Sequence, residues 1–353
     1  MAFDLVGVIH LIHAMIGRRF SKHCLERGPP GIFLESLGEF TSTDKLYRIM
    51  RLKADLTLSV ISIIWGSAFV AQRVAGQLGS VYLFNGARYI LAGLVVLPFV
   101  LRVVRASSPT GQVSILSYPR EQYKWMAVAG VLLFIAAALQ QAGMLYTTAG
   151  NAGFITSLYV VMVPIVLFFG WGERPHWLVA VAVGMAGVGA FLLSTGGRFE
   201  VRAGDTLELV GALFWALHVS LLGKFASRFE SMSFSVGQLL ICGILNLLLG
   251  IFIEQPVFTW SLVGAAVYTA VFSLGLCYTL QVWAQRHTPP ADAALILSLE
   301  SVFAVLAGWL LLKETLTGIQ IFGCMLIFFA VGLSQVKSWN SGKIDQSHLV
   351  EGR

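Results

Sequence analysis

"DLTLSVISIIWGSAFVAQRVA" (residues 55–75) and "DTLELVGALFWALHVSLLGKF" (205–225) decide the fold, because one kind of segment occurs twice. Each opens on Asp and then stays apolar long enough to cross a hydrocarbon core of roughly 30 Å as a helix rising about 1.5 Å per residue. An offset of 150 sets Asp55 on Asp205 and Trp65 on Trp215, and the same offset sets Gly93 on Gly243. Further along, an offset of 141 sets Gln140 on Gln281, Thr147 on Thr288, Ala152 on Ala293, Ser157 on Ser298 and Glu173 on Glu314. Coincidences of Ala, Gly or Leu are common among apolar segments. Polar and Trp matches held in register across five helices are much harder to obtain by chance.

The surrounding composition agrees. The 353 residues are 57% hydrophobic and only 12% charged, against about 25% charged in a typical soluble domain. A soluble protein with buried helices would need polar helix faces, which are missing here. From Leu56 onward ten hydrophobic segments follow, at about 56–75, 81–101, 124–146, 152–171, 176–194, 206–223, 232–253, 260–284, 292–312 and 316–336. In lipid only a helix satisfies its own backbone over such lengths. The expected fold is therefore all-α and integral to the membrane, with ten transmembrane helices.

Residues 1–54 read as an N-terminal cytoplasmic extension, amphipathic or disordered, and 337–353 as a cytoplasmic tail. "MAFDLVGVIHLIHAMIG" has no cationic start and no small-residue cleavage site, so it does not read as a cleavable signal. Met50, opening the basic leader "MRLKAD", is an alternative start. With the N-terminus inside, nineteen Lys and Arg fall in cytoplasmic regions against four outside, and Arg88 lies within a span. Both termini are thus expected in the cytoplasm. The net charge of +6 reflects this loop bias and does not point to nucleic acid. The four cysteines show no metal-ligand spacing and read as small reduced core residues, and no cofactor is implied.

Two repeats, 55–195 and 205–336, carry five spans each. An odd number forces the second copy upside down relative to the first. Inverted repeats are the architecture of secondary transporters, whose substrate site lies near the midplane between the copies.

The chain resembles the drug/metabolite transporter superfamily, specifically its ten-helix EamA-domain branch, over about 55–336. The resemblance rests on "IIWGSAFVAQR" (63–73), "NGARYILAG" (85–93), "FFGWGERP" (168–175), "SLESVFAVLAGW" (298–309) and "LLLKETLTG" (310–318). One departure is Ser301, where many members carry Pro after the Glu of the ninth helix, so a proline kink is not implied there. The resemblance implies that helices one, three and four of each repeat surround a central cavity. That makes Trp65, Gln140, Tyr159, Trp215, His218, Tyr278, Gln281 and Glu300 candidate lining residues.

Intramembrane ionisable groups default to function, which puts Glu300 first, as a substrate or proton site facing the cavity. The alternative is a carboxylate that only ties neighbouring helices together. His218 is open to both a proton-carrier and a structural hydrogen-bonding reading. Trp65 and Trp215 are open to packing as well as lining. Arg88 is expected to pair with Glu300 in one state of a transport cycle or to ligate an anionic group. Asn151 and Asp292 are expected as helix N-caps, and Glu173 and Glu314 as carboxylates in tight turns before the next helix.

No G-x-x-x-x-G-K-[ST] sequence occurs, so ATP drive within this chain is disfavoured. Nor is there an H-E-x-x-H, a G-x-S-x-G or a paired intramembrane Asp to support an enzyme. The reading that follows is a non-enzymatic exporter or exchanger of small amino-acid-like or amphiphilic metabolites. It would sit in a bacterial inner membrane as a monomer or homodimer, with a proton as coupling ion. A non-transporting sensor or scaffold is the other class.

Overall fold

The computed structural model describes residues 35–78, 80–107, 120–147, 149–195, 203–312 and 315–340. Every regular element among them is helical. In chain order these are α1 (Glu35–Gln77), α2 (Tyr82–Ser107), α3 (Arg120–Gly143), α4 (Ala149–Ser157), α5 (Tyr159–Trp171), α6 (Trp177–Thr195) and α7 (Ala203–Phe225). They continue with α8 (Ser231–Ile253), α9 (Trp260–Tyr268), α10 (Cys277–Ala284), α11 (Pro290–Leu297), α12 (Leu299–Leu312) and α13 (Gly318–Asn340). A π-helical stretch, Thr269–Leu276, joins α9 to α10.

Among the described residues eight crossings are long and apolar enough to span a membrane, with α4–α5, α9–α10 and α11–α12 each making one of them. The shorter apolar helices Trp177–Leu193 and Gly318–Ser334 are the fifth and tenth. The chain is therefore a ten-helix, all-α membrane protein. Residues 1–34 and 341–353, most of the expected extension and tail, lie outside the described residues, as does Glu314.

Close helix crossings reveal the symmetry. A Cβ on Gly93 of α2 would stand 2.6 Å from Leu240, and one on Gly243 of α8 would stand 2.7 Å from Ile90. The offset of 150 carries the first contact onto the second. In the same way α6 and α13 pack Gly189 against Ile327 and Gly323 against Leu193, and an offset of 134 exchanges those two contacts. Contacts that map onto themselves are isologous, the mark of a twofold axis. The paired helices run antiparallel, so this axis lies in the membrane plane, as an inverted repeat requires.

The fourth and ninth spans are not the single helices that the sequence suggests. Each breaks within one residue of the same repeat position, with Leu158 at φ −61°, ψ −13° and Ser298 at φ −61°, ψ −15°. No proline is needed. Ser157 donates its hydroxyl to the Phe154 carbonyl at 2.7 Å, and Ser298 donates to Leu295 at 2.7 Å, an identical bond at the offset of 141. A serine that takes the carbonyl of its own preceding turn competes with the helical ladder. The backbone tightens locally, with Leu158 N–H to Ile155 O and Ser301 N–H to Ser298 O both at 3.2 Å.

Gly323→Leu should destabilise the protein by about 1–3 kcal/mol or more, because a side chain there meets the Gly189 and Leu193 backbone. Gly184→Leu, where nothing lies within 4 Å of an added Cβ, should leave the apparent melting temperature in detergent unchanged. Equal effects would contradict the close crossing.

Candidate functional site

Between the repeats lies a narrow polar cavity. It is lined by Trp65, Arg88, Gln140, Tyr159, Trp215, Tyr278, Gln281 and Glu300, together with Phe69, Gln72, Tyr89, Thr156, Val219, Ser273 and Leu274. Seven of the eight expected lining residues are there, and Arg88 joins them. The exception is His218. Glu300 is 4% exposed, Tyr159 3% and Gln281 0%, so the polar groups at the cavity's centre are buried.

Glu300 and Tyr159 are repeat mates at the offset of 141, and their side chains lie beside each other. Mates that meet must do so close to the twofold axis. The two helix breaks deliver them, since Tyr159 opens α5 and Glu300 stands in the first turn of α12. Several polar atoms here are buried without a hydrogen-bond partner of good geometry. They are Glu300 Oε1, the Tyr159 hydroxyl, Trp215 Nε1 and both ends of the Gln281 amide. A buried polar group left unpaired costs roughly 1–3 kcal/mol, so such a concentration marks a place built to hold something polar.

Arg88 is 2% exposed. It donates through Nε to Asn85 Oδ1 at 2.9 Å and through Nη2 to Gln72 Oε1 at 2.8 Å. Asn85 is itself anchored on the Ala137 carbonyl. The Phe84 and Tyr89 rings stand 5.2 Å from the guanidinium carbon. Arg88 forms no salt bridge among the described residues, Glu300 included. Its partners are neutral amides and aromatic faces, which hold the fork in place and leave its charge unneutralised.

Tyr278 anchors an aromatic wall, 5.3 Å from Trp65 and 6.5 Å from Trp215, where it stacks. Trp65 donates its indole N–H to Ser273 O at 2.7 Å. That carbonyl belongs to the π-helical stretch. His218 sits behind the wall, edge-on to Tyr278 and Trp215, with Nε2 2.9 Å from Gln238 Oε1. His218 therefore stands one layer behind the lining, bonded to Gln238 through Nε2. His287, just past the eighth span, is held below the usual imidazole range by burial and then by Arg286.

Above and below the cavity, the first helix of each repeat meets the fourth span of the other. On the face of the chain termini, Arg51 bridges Asp55 at 3.1 Å and Asp292 at 2.6 Å, and Thr288 donates to Asp55 at 2.7 Å. On the far face Asn151 donates to Asp205 and to Thr147, both at 2.7 Å. These are repeat mates throughout: Asp55 with Asp205, Thr288 with Thr147, and Asp292 with Asn151. One cluster is ionic and the other is built on an amide. The expected N-cap role of Asp292 is thereby corrected. Pro289 occupies the cap position of α11, and the Asp292 carboxylate turns to Arg51. Glu173 likewise pairs with Lys224 of α7.

Sequence reasoning missed Glu208. It is fully buried on α7, where Thr156 Oγ1 donates to Oε2 at 3.2 Å and Gln140 Nε2 donates to Thr156 Oγ1 at 2.8 Å. A position one turn into a helix looks like an ordinary first-turn acid. Only the packing of α3 and α4 against it shows otherwise.

Comparisons with known proteins agree with this architecture. The sequence profile of the EamA-like transporter family matches the chain twice, over residues 52–195 and 202–335. An uncharacterised transporter of Archaeoglobus fulgidus is 32% identical over 284 residues, covering 80% of this chain and 86% of its own. The uncharacterised inner membrane transporter YedA of Escherichia coli is 26% identical, covering 78% of this chain and 88% of its own. The threonine/homoserine exporter RhtA of Salmonella typhimurium is 26% identical over 159 residues, 44% of this chain and 52% of its own. One crystal structure has the same fold, with a TM-score of 0.68 at 16% identity over 84% of this chain and 99% of that one.

Arg51→Gln should leave two largely buried carboxylates without their cation and cost about 3 kcal/mol or more. Asp292→Asn keeps the Arg51–Asp55 pair and should cost clearly less. Thermal unfolding of both variants in detergent checks the order, which should reverse if Arg51 is only a surface residue.

Proposed function

The chain belongs to the EamA-like transporter family, and on that premise we propose that it is a secondary transporter of small amino-acid-like or amphiphilic metabolites. It works as an exporter or exchanger by alternating access, in a bacterial inner membrane with both termini cytoplasmic. The observation that carries the proposal is the cavity between twofold mates, in which Glu300 and Tyr159 face each other and buried polar atoms of Gln281 and Trp215 lack partners.

The lining suits a zwitterion. Arg88 offers a fixed guanidinium to a carboxylate, Glu300 an oxygen to an ammonium group, and Trp65, Trp215 and Tyr278 apolar faces to the rest of the molecule. Glu300 then takes either the substrate's cationic group or a proton. That competition gives exchange between the two and makes the proton the coupling ion. The gates are the two clusters joining the repeats, one through Arg51 and one through Asn151. Opening one while the other holds exposes the cavity to one side at a time.

Reconstitution in liposomes with an amino-acid and metabolite panel that includes threonine and homoserine, read as counterflow, tests the reading. Wild-type protein should exchange at least one zwitterion. Arg88→Gln should raise its KM about tenfold or more, the equivalent of roughly 1.5 kcal/mol for a charged hydrogen bond. Glu300→Gln should remove the competition between protons and substrate, so that KM no longer changes with pH. Absence of counterflow for the whole panel would support the sensor or scaffold class instead.

A further inference from the structure

The two faces of the protein are not equivalent, and the difference centres on Glu208. Its mate at the offset of 150 is Leu58, and the mate of Thr156 at the offset of 141 is Leu297. Leu58 and Leu297 are both fully buried in one apolar cluster behind the termini face. On the far face the same two positions hold a carboxylate and a hydroxyl. Glu208 is 0% exposed, and its Oε1 has no hydrogen-bond partner. It forms no salt bridge among the described residues. Its single donor is the Thr156 hydroxyl, which also lines the cavity.

Around it α3 contributes Gly143, whose Cβ, if present, would lie 2.8 Å from Glu208 Cγ, and Gln140, which bonds Thr156. Its own helix contributes Asp205, one turn away, a like charge. The other ionisable groups nearby are Tyr146 at the end of α3, Tyr159 beyond the break of α4, Glu300 across the cavity and Arg73 of α1. Arg73 is engaged with the Thr147 carbonyl. None of these forms a salt bridge with Glu208. An ionised carboxylate in this position would face neither a cation nor a second donor, which the membrane interior does not tolerate cheaply.

We propose that Glu208 is a proton-binding site that couples the proton to the gate on the far face. This rests on the transporter reading above. With the proton on Glu208, α7 packs against α3 and α4 as observed and Asn151 closes on Asp205. While the opposite gate is open, the proton on Glu208 leaves to cavity water beside Thr156. The carboxylate left behind stands near Asp205, and the repulsion between them drives α7 away and opens the far gate. A proton taken up from far-face water closes that gate again. The Leu58–Leu297 arrangement has no group that could do the same on the termini face, so coupling acts at one gate only.

The test combines infrared spectroscopy of the purified full chain with transport in proteoliposomes. Between acid and alkaline pH, the wild-type difference spectrum should contain a protonated-carboxyl C=O band that Glu208→Gln removes. Thr156→Val, which leaves the carboxyl but takes away its donor, should shift that band and not delete it. In liposomes, Glu208→Gln should lose accumulation driven by a pH gradient while slower exchange at equal pH persists. An unchanged band in Glu208→Gln, or gradient-driven accumulation equal to wild type, overturns the proposal. If wild-type protein exchanges nothing from the panel, the transporter reading fails by itself, and the infrared band still decides whether Glu208 binds a proton.

Discussion

Close helix approach at glycines across the twofold axis is the constraint from which the rest of the structure follows. Gly93 and Gly243 make room for Leu240 and Ile90 where α2 crosses α8, and Gly189 and Gly323 let α6 meet α13 backbone to backbone. In lipid there is no hydrophobic force between helices, so close packing must supply the association, and small residues at the crossing make it possible. Because each crossing maps onto itself, it fixes the two repeats as inverted copies. The first, third and fourth spans of both are then left to surround the axis. Tyr159 and Glu300 meet there because they are mates.

The cavity combines features that a membrane interior penalises one by one. A guanidinium with only neutral partners, a carboxylate with a free oxygen and an unpaired amide are each expensive in isolation. Gathered at the breaks of two discontinuous spans, they form a polar site that the surrounding helices keep from lipid. The breaks, where Ser157 bonds Phe154 and Ser298 bonds Leu295, therefore position the site together with the side chains that line it.

Much of this was legible in the sequence, for identifiable reasons. Hydropathy locates the spans because lipid demands long apolar helices. Polar and Trp identities at fixed offsets reveal the repeat because a twofold-related site needs the same groups twice. The breaks were not legible, since serine in a helix is ambiguous until its hydroxyl is seen on a carbonyl. Arg51 lies 241 positions from Asp292, and no local pattern predicts that pair. Glu208 was missed and His218 left undecided for a related reason. Their surroundings depend on whether the facing helix offers Thr156 or Gln238, which is a property of packing rather than of the α7 sequence.

The central claim is that twofold mates form two gates which exchange states. Distances between paired spin labels, measured by double electron–electron resonance in lipid, test it most directly. One pair at Lys53 and Ala291 reports the termini face, and a second at Leu145 and Thr206 reports the far face. The account predicts two distance populations at each face, and a change of pH or substrate should lengthen one pair as it shortens the other. Pairs that lengthen together, or a single unchanging distance at both faces, would contradict it.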